Sequence, residues 1–459
     1  MKLNHSIKFF CICLSLFFSS LLRAQPTLET KVDEYLTPLV NSGDFYGTVL
    51  FAKNGYIELV KGYGFSDLEY FVKNNPQTIY HLGSVNKPIT AIGVMLLQQM
   101  GKLNVDDAIE KYIPNYPKGD EITVKHLLSQ TSGIPSYNEF EDYDTYAHRV
   151  NELKDVVSWF KNKELLFKPG SKYSYSNSNF VLLAYVIELV SGQTYTEFMY
   201  ENVFKPLGMY HTAMYKYDEI VENRAVGYDP ANNEYGLKPI GFYNNSIKVG
   251  SGALYSTVLD LLKLEKALYS DELLNEKTRE LMLTSIGDND YGLGWGIWKR
   301  FDKRKYDHDG NSPGSVAYFS TYPDDKVTII FLGNVNSGVF HQMKYDLAAI
   351  YFNKDYKLPE QRTYKVLKAS DLKKFEGRYE FQNGNFFDLK IINGDLRFLW
   401  RGRGNLGYLL SPLTNYSFYM RARGDQIDFN LNKNGDLDAK YIEHSGTSVL
   451  KKVKASNLD

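Results

Sequence analysis

The chain has 459 residues, of which 53 are Lys or Arg and 54 are Asp or Glu. Hydrophobic residues make up 43% of the sequence and aromatic residues 15%, which is enough apolar material for a globular protein of two or three domains. This composition excludes a chain that is disordered overall. The near balance of charge gives no support to a nucleic-acid partner.

The first 24 residues have the pattern of a secretory signal peptide. Lys2 and Lys8 precede an apolar run over residues 9–22, and Ala24 provides a small residue at the cleavage position. This pattern predicts cleavage after Ala24 and export to the periplasm or the medium. A membrane anchor is the alternative, but the run is short for a spanning helix, so we expect no stable membrane insertion after cleavage.

Early in the mature chain, the sequence predicts a β-hairpin followed by a helix. Residues 46–53 and 56–64 are rich in β-branched and aromatic side chains, and Asn54-Gly55 separates them as a two-residue turn. Residues 88–100 are apolar on nearly every face and are followed by a glycine. This second pattern is typical of a buried helix.

The middle of the chain, about 103–240, is loop-rich and helical, and we expect it to form a helical insertion. Within it, residues 181–190 have an apolar helical pattern that Ser191-Gly192 would end. A further helical pattern lies within 251–270. Residues 326–333 are typical of a strand buried on both faces.

After Pro359 the pattern changes to short strands. Asn-Gly turns separate these strands at 383, 393 and 434, and such a series predicts an antiparallel barrel or sandwich. We therefore divide the chain into a signal peptide (1–24), a first domain (25–360) and a C-terminal all-β domain (361–459).

The only two cysteines, Cys11 and Cys13, lie in the predicted leader. A covalent catalyst in the mature protein would therefore use Ser, Thr, Lys or a carboxylate. One suitable arrangement is Ser-x-x-Lys at the start of a helix, where both side chains share one face. The helix start also adds positive potential near a developing oxyanion.

Ser-x-x-Lys occurs four times, so its surroundings must discriminate between the copies. The four serines are Ser84, Ser158, Ser370 and Ser448. Only Ser84-Val85-Asn86-Lys87 directly precedes an all-round apolar helix, which would hold both side chains rigidly against the core. We therefore favour Ser84 and Lys87 as the reactive pair. The alternative is that Ser84 simply caps the helix.

A second short pattern, Tyr-x-Asn, could complete the site. Tyr175-Ser176-Asn177 leads into the apolar helix that starts near Phe180, which would place a phenol and an amide at a turn facing a cleft. The alternative is structural, since Asn177 could cap that helix and Tyr175 could pack its ring.

The third pattern is His308-Asp309-Gly310-Asn311, which precedes the predicted strand 326–333. A glycine there would let the strand backbone approach a substrate closely. The alternative for His308 is a hydrogen-bonded structural role.

Taken in order, these stretches resemble the serine β-lactamase and penicillin-binding-protein-like hydrolases, specifically the class C β-lactamase-related family. The resemblance covers about residues 30–355. The matching stretches are 81–88, 126–133, 167–177, 206–209, 256–261, 291–295 and 308–314.

The resemblance implies an α/β fold in which an antiparallel sheet is sandwiched by helices and carries the helical insertion. Residues 365–455, which include Phe375-Glu376-Gly377-Arg378-Tyr379, look like the lipocalin-like β-domain that some family members append. Such a domain could cap the cleft, recognise substrate or mediate oligomers.

The resemblance further implies acyl transfer through a serine ester. Ser84 would be the nucleophile, and Lys87 would help to take its proton, with a pKa lowered by burial and neighbouring positive charge. Tyr175 would share the acid/base work and pass the proton to the leaving group. Asn177 would donate to the acyl side chain of the substrate.

The remaining implied roles concern the oxyanion and the leaving group. The backbone amides of Ser84 and Asn311 would form the oxyanion hole beside Gly310. His308 would line the cleft beside Tyr175 and orient the leaving group or a terminal carboxylate.

His308 also bears on the substrate. The β-lactamases of the family typically carry Lys at this position, whereas His is widespread among its peptidases and esterases. We therefore expect a peptide or amide substrate, possibly containing D-amino acids, with a carboxylesterase or a β-lactamase as alternatives. A catalytically silent binding protein is the non-enzymatic alternative. The resemblance implies no metal and no organic cofactor.

Several other residues are expected to belong to the scaffold. His126 should pack and form hydrogen bonds at a helix start. Trp295 and Trp298 either wall the cleft or fill the core. Arg401 and Arg403 are expected to be solvated rather than to bind an anion.

Overall fold

The structure, a computed structural model, describes residues 26–216, 218–400, 407–431, 437–443 and 446–453. The predicted signal peptide, Arg401 and Arg403 lie outside the described residues. Among the described residues, no helix is long and apolar enough to cross a membrane.

The first part of the chain is built on a six-stranded antiparallel sheet. Across the sheet the strands follow the order Gly296–Arg300, Lys303–Ser312, Ser315–Tyr322, Val327–Gly333, Gly47–Lys53 and Tyr56–Tyr63. The predicted hairpin is confirmed, and its turn residues Asn54 and Gly55 have the positive φ angles of 53° and 76° that such a turn requires. The predicted strand 326–333 is confirmed as well, and in the structure it begins at Val327.

The sheet has a hydrophobic core on each face, because successive side chains of a strand point to opposite faces of the sheet. Leu50 and Ala52 belong to one core, and Val49 and Phe51 belong to the other. The helices Leu28–Asn41 and Phe340–Tyr351 pack on the second core. Most of the remaining helices contribute to the first, larger core, so the sheet is sandwiched by helices as predicted.

The helices and the strands outside the central sheet have the following bounds. The helices are Leu28–Asn41, Asn86–Gln99, Val124–Leu128, Tyr143–Ala147, Leu153–Phe160, Asn177–Ser191, Tyr195–Met199, Lys205–Leu207, Val258–Leu264, Lys266–Tyr269, Glu276–Met282, Phe340–Tyr351 and Ala369–Leu372. Short helical turns are Gly83–Val85, Ile109–Lys111, Tyr137–Glu139, Tyr200–Phe204, Asn245–Lys248 and Lys373–Phe375. Short strands are Phe65–Asp67, Val72–Lys73, Tyr80–His81, Ala213–Met214, Tyr228–Pro230, Leu237–Pro239 and Leu254–Ser256.

The helix Asn86–Gln99 confirms the buried helix predicted from its apolar pattern. Every residue from its start to Leu97 is buried. The helix begins two residues earlier than predicted, which places Pro88 in the first turn, where a missing N–H costs little. Its start is therefore fixed rigidly against the core.

The predicted helix at 181–190 is also present, but it begins earlier, at Asn177. Gly192 ends it in the left-handed conformation, with a φ of 73°, as expected for a glycine after a helix. Ser176 is the residue that precedes the helix, so the suggestion that Asn177 caps it is wrong.

The last part of the chain forms a nine-stranded antiparallel sheet, which we call the C-terminal sheet. Its strands, in spatial order, are Tyr408–Leu409, Asp395–Trp400, Phe386–Ile392, Gly377–Glu380, Gly446–Lys452, Leu437–Glu443, Asp425–Leu431, Ser417–Met420 and Ser411–Pro412. The two outermost strands are neighbours in the chain, so the sheet nearly closes on itself. This arrangement confirms the predicted barrel-like all-β fold, while the boundary at 360 stays a prediction.

The C-terminal sheet contacts the first part of the chain through polar groups and backbone. The amide of Gly338 donates to the carbonyl oxygen of Arg421 (2.7 Å), and Asn232 Nδ2 donates to Asp395 Oδ1 (3.0 Å). A Cβ on Gly338 would lie 2.1 Å from the carbonyl carbon of Arg423. The two parts are therefore in close contact here.

Candidate active site

Ser84 lies at the meeting point of the first two predicted motifs. It sits in the turn Gly83–Val85 at the head of the helix Asn86–Gln99. Lys87 Nζ donates to Ser84 Oγ (2.8 Å), and the Tyr175 hydroxyl donates to the same oxygen (2.7 Å). The Ser84 side chain therefore does not cap the helix, and the structural alternative for it is wrong.

The amine of Lys87 is held in a fully buried position. Its Nζ also donates to the carbonyl oxygen of Ser251 (2.9 Å) and lies 4.8 Å from the centre of the Tyr175 ring. Burial lowers the pKa of Lys87 well below its usual value, and the positive charge of Lys248 lowers it further. The neutral amine, which can accept a proton, is thereby favoured.

Asn86 is hydrogen-bonded to the chain just after Ser251. The Asn86 side-chain oxygen accepts from the amides of Ala253 (3.0 Å) and Leu254 (3.2 Å). Its Nδ2 donates to the Tyr195 hydroxyl (3.0 Å). This buried amide therefore ties the chain after Ser251 to the start of the Ser84 helix.

The loop that carries Tyr175 is held by the stretch that follows the helix Val124–Leu128. The Ser174 amide donates to the Gln130 carbonyl oxygen (2.9 Å), and the Ser176 amide donates to Gln130 Oε1 (3.0 Å). Although 39% of the surface of Tyr175 is exposed, its hydroxyl end is crowded, and burial raises its pKa. The phenol is therefore a proton donor at neutral pH.

His126 confirms its predicted scaffold role at a helix start. Its amide donates to Thr123 Oγ1 (3.1 Å), and the Thr123 amide donates to His126 Nδ1 (3.2 Å). This reciprocal pair caps the helix Val124–Leu128. It thereby fixes the segment from which Gln130 supports the Tyr175 loop.

Asn177 lines the cleft beside Ser84. Its backbone amide donates to Ser136 Oγ (2.9 Å), and its side-chain Nδ2 donates to Asn138 Oδ1 (2.9 Å). Asn177 is thus held in place by Ser136 and Asn138, two residues that the sequence analysis did not identify. Nothing in the local pattern around Ser136 and Asn138 signals this role.

Gly310 and Asn311 pass directly beside the turn that carries Ser84. A Cβ on Gly310 would lie 2.0 Å from the Leu82 carbonyl oxygen and 2.8 Å from the Ser84 amide nitrogen. A Cβ on Gly83, which has a φ of 49°, would lie 2.9 Å from the Asn311 amide nitrogen. Only glycine fits at both positions. This close approach brings together the two segments that carry the predicted oxyanion amides, those of Ser84 and Asn311.

His308 is buried, with 7% of its surface exposed, and its ring centre lies 6.4 Å from that of Tyr175. Its Nδ1 is 2.6 Å from the Asp309 carbonyl oxygen and its Nε2 is 3.2 Å from the Tyr291 hydroxyl. Because a carbonyl only accepts, Nδ1 carries the proton and Nε2 accepts from Tyr291. Burial, and then the Lys87 charge, lower the His308 pKa to about 4.

Five of the seven predicted site residues line two clefts. Ser84, Asn177 and Asn311 line a cleft of about 350 Å³ together with Lys248 and Ser312. Tyr175 and His308 line a second cleft of about 310 Å³. Sequence reasoning missed Lys248, because no motif surrounds it and only the folded chain brings it to Ser84.

The two tryptophans have different roles. Trp295 is fully buried in the larger core, so it does not wall the cleft. Trp298 is 46% exposed and lines the second cleft with Tyr175 and His308. Among the described residues, no group of three or more His, Cys, Asp or Glu side chains could hold a metal ion.

This geometry is suited to one kind of chemistry. A serine hydroxyl held between a buried amine and a phenol can be deprotonated for attack on a carbonyl carbon. Backbone amides beside it can stabilise the resulting oxyanion. The site is therefore built for acyl transfer.

Comparison with known proteins agrees with the site. The sequence profile of the β-lactamase family matches residues 32–351. Penicillin-binding protein 4* of Bacillus subtilis (strain 168) is 30% identical over 413 residues, which cover 84% of this chain and 90% of that protein. The chain therefore belongs to the β-lactamase family and is a penicillin-binding-protein-like serine hydrolase.

Two solved structures share the fold. The octameric penicillin-binding protein homologue from Pyrococcus abyssi has a TM-score of 0.62 and 25% identity, covering 92% of this chain and 99% of that chain. The D-amino acid amidase from Ochrobactrum anthropi SV3 has a TM-score of 0.64 and 19% identity, covering 71% of this chain and 99% of that chain. The second likeness concerns the fold alone.

Proposed function

We propose that this protein is an exported hydrolase that cleaves peptide or amide bonds through an acyl-enzyme on Ser84. The observation that carries the proposal is the pair of hydrogen bonds that Ser84 Oγ accepts from Lys87 (2.8 Å) and Tyr175 (2.7 Å). Export is proposed from the leader pattern of residues 1–24 alone.

In the first half-reaction, Ser84 Oγ attacks the carbonyl carbon while the neutral amine of Lys87 takes its proton. The amides of Ser84 and Asn311 stabilise the oxyanion. As the C–N bond breaks, Tyr175 passes a proton to the leaving nitrogen and is reprotonated from Lys87. The products are a Ser84 ester and a free amine.

In the second half-reaction, water attacks the Ser84 ester, and the same groups act in reverse. The neutral amine of Lys87 takes a proton from the water, the ester C–O bond breaks, and Ser84 Oγ recovers a proton from Tyr175, which is reprotonated from Lys87. The acid is released. Asn177 positions the acyl part through both half-reactions, and His308 lies on the leaving-group side beside Tyr175.

A D-amino-acid substrate is the favoured choice. The replacement of the usual β-lactamase lysine by His308 supports a peptidase or esterase over a β-lactamase. D-amino acid amidase has the same fold, and a penicillin-binding relative is 30% identical. No metal or organic cofactor takes part in the proposed steps.

The proposal is tested first by intact mass after reaction with a fluorophosphonate and with a penicillin. We expect a covalent adduct on the wild type and none on Ser84→Ala. The same proteins are then given D-amino-acid p-nitroanilides, cephalosporins and short p-nitrophenyl esters. Absence of any adduct on the wild type would indicate a binding protein, and turnover retained in Ser84→Ala would exclude the acyl-enzyme.

The substrate panel discriminates among the hydrolases. Cleavage of D-amino-acid amides is the expected result. Rapid turnover of cephalosporins alone would instead identify a β-lactamase, and cleavage of esters alone would identify a carboxylesterase. Tyr175→Phe keeps the ring but removes the proton donor, so we expect it to lower kcat by about a hundredfold or more.

A further inference from the structure

We propose that Lys248 forms an anion-binding subsite that takes a carboxylate carried by the acyl part of the substrate. This inference rests on the proposed acyl-enzyme chemistry and names the substrate class. The lysine is the last residue of the helical turn Asn245–Lys248. It lines the same cleft as Ser84, Asn177 and Asn311.

The Lys248 amine lines the cleft without a counter-ion among the described residues. Its polar contact is a long hydrogen bond to Ser312 Oγ (3.3 Å), and it lies 4.1 Å from the centre of the Tyr243 ring. Across the part of the chain that the structure describes, no carboxylate forms an ion pair with it. Burial lowers the pKa of this partly buried lysine to about 7, and an anionic ligand beside it would favour the ammonium form and bind to it.

Among the described residues that line this cleft, Lys248 is the one with a basic side chain. Lys248 acts electrostatically on both Lys87 and His81, lowering the pKa of each. Burial holds the pKa of His81 at about 3 and that of Lys87 well below its usual value, so of these three groups Lys248, with a pKa of about 7, is the one that can bring positive charge to the cleft near neutral pH. Asp229 is the acidic residue that lines the cleft, and its Oδ1 accepts a hydrogen bond from Asn336 Nδ2 (3.1 Å).

The position of Lys248 assigns the anion to the acyl half of the substrate. Tyr175, the proposed donor to the leaving group, lines the second cleft with His308. Lys248 instead shares its cleft with Asn177, the proposed partner of the acyl side chain. A carboxylate on the acyl side chain would therefore meet Lys248, while Ser312 and Asn138 offer further polar groups there.

The test compares two ligands that differ in charge and hardly in shape. N-acetyl-D-glutamyl p-nitroanilide carries the carboxylate, and N-acetyl-D-glutaminyl p-nitroanilide is its neutral match. Binding is measured by calorimetry on Ser84→Ala, which cannot turn them over. We expect the glutamyl compound to bind about tenfold or more tightly, as for a charge-assisted bond, and Lys248→Met to bring the ratio close to one.

The controls separate this subsite from other effects. Lys238→Met removes an exposed lysine that lines a neighbouring cleft rather than this one, and we expect it to leave the preference intact. Lys248→Met also raises the pKa of Lys87, and a protonated Lys87 would favour the glutamyl compound, so a ratio that falls to one cannot come from this side effect. Circular dichroism and thermal unfolding check that the variant folds.

Two results would overturn the proposal. One is equal binding of the two compounds to Ser84→Ala, and the other is a preference that survives Lys248→Met in a folded protein. Failure of the proposed function would show separately, as absent fluorophosphonate labelling of Ser84 in the protein that retains Lys248.

Discussion

Asp44 and Arg421 form an ion pair of 2.8 Å in which neither side chain is exposed to solvent. Arg421 belongs to the C-terminal sheet region, and Asp44 precedes the first strand of the central sheet. Arg421 Nη2 also donates to the Gly43 carbonyl oxygen (2.7 Å), and the Tyr364 hydroxyl donates to Asp44 Oδ2 (2.8 Å). The pair thus joins distant parts of the chain in a fully bonded cluster.

Removal of one partner should be costly, because it leaves a buried charge uncompensated. We expect Arg421→Met to lower the free energy of unfolding by about 3–5 kcal/mol. In the double variant Arg421→Met with Asp44→Asn, the free energy of unfolding should fall by less than the sum of the decreases in the two single variants. Denaturant unfolding of all four proteins measures the coupling, and strictly additive losses would contradict it.

The acyl-transfer site should depend on pH through Lys87. The proposed acylation requires the neutral amine, so kcat/KM should rise as pH increases through the lowered pKa of Lys87. In Lys248→Met the positive neighbour that helps to lower this pKa is gone, and the rising limb should therefore move to higher pH. A pH profile of acylation checks this, and an unmoved or oppositely moved limb would argue against the coupling.

Gly310→Ala should block the site. The added Cβ would meet the Leu82 carbonyl oxygen at 2.0 Å, and neither backbone can yield without displacing the Ser84 turn. We expect kcat/KM to fall by about a hundredfold or more, as when an oxyanion donor is lost. The matched control is Gly241→Ala, whose Cβ would meet nothing within 4 Å. Comparable activity in both variants would show that the close approach is unimportant.

Protonation of His308 should destabilise the fold at acidic pH. Its pKa is about 4 in the folded protein, against about 6.5 for an exposed histidine. Between these values the unfolded chain binds the proton and the folded protein does not. The free energy of unfolding should therefore fall as pH decreases from 6.5 to 4, by up to about 1.4 kcal/mol per pH unit.

The contribution of His308 is isolated by substitution. His308→Gln should flatten the dependence of the unfolding free energy on pH over this range. His148→Gln, at an exposed histidine, serves as the control and should follow the wild type. An unchanged slope in His308→Gln would assign the acid sensitivity to other buried groups.

Local patterns in the sequence predicted the elements that position the site. The hairpin around Asn54-Gly55 and the helix before Gly101 follow from turn chemistry and apolar periodicity, which act between near neighbours. The start of the helix Asn177–Ser191 was misplaced because its first turn is polar. Asn179 is buried there by a long-range contact, since its Nδ2 donates to Gln130 Oε1 (2.6 Å).

The candidate site was predictable only where a motif carried it. Ser84, Lys87 and Tyr175 meet as the resemblance implied. Lys248 and Ser251 were not predictable, because their roles come from contacts between residues far apart in the chain, such as the bond from Lys87 to Ser251 and the bond from Lys248 to Ser312. Hydrophobic periodicity and motif spacing carry no information about such contacts.

The near closure of the C-terminal sheet has a consequence for self-association. Its outer strands, Tyr408–Leu409 and Ser411–Pro412, have only two residues each and flank the buried Leu410. Long, unpaired strand edges are templates on which other chains can add and aggregate. A sheet that ends in two such short, adjoining strands offers hardly any free backbone for that process.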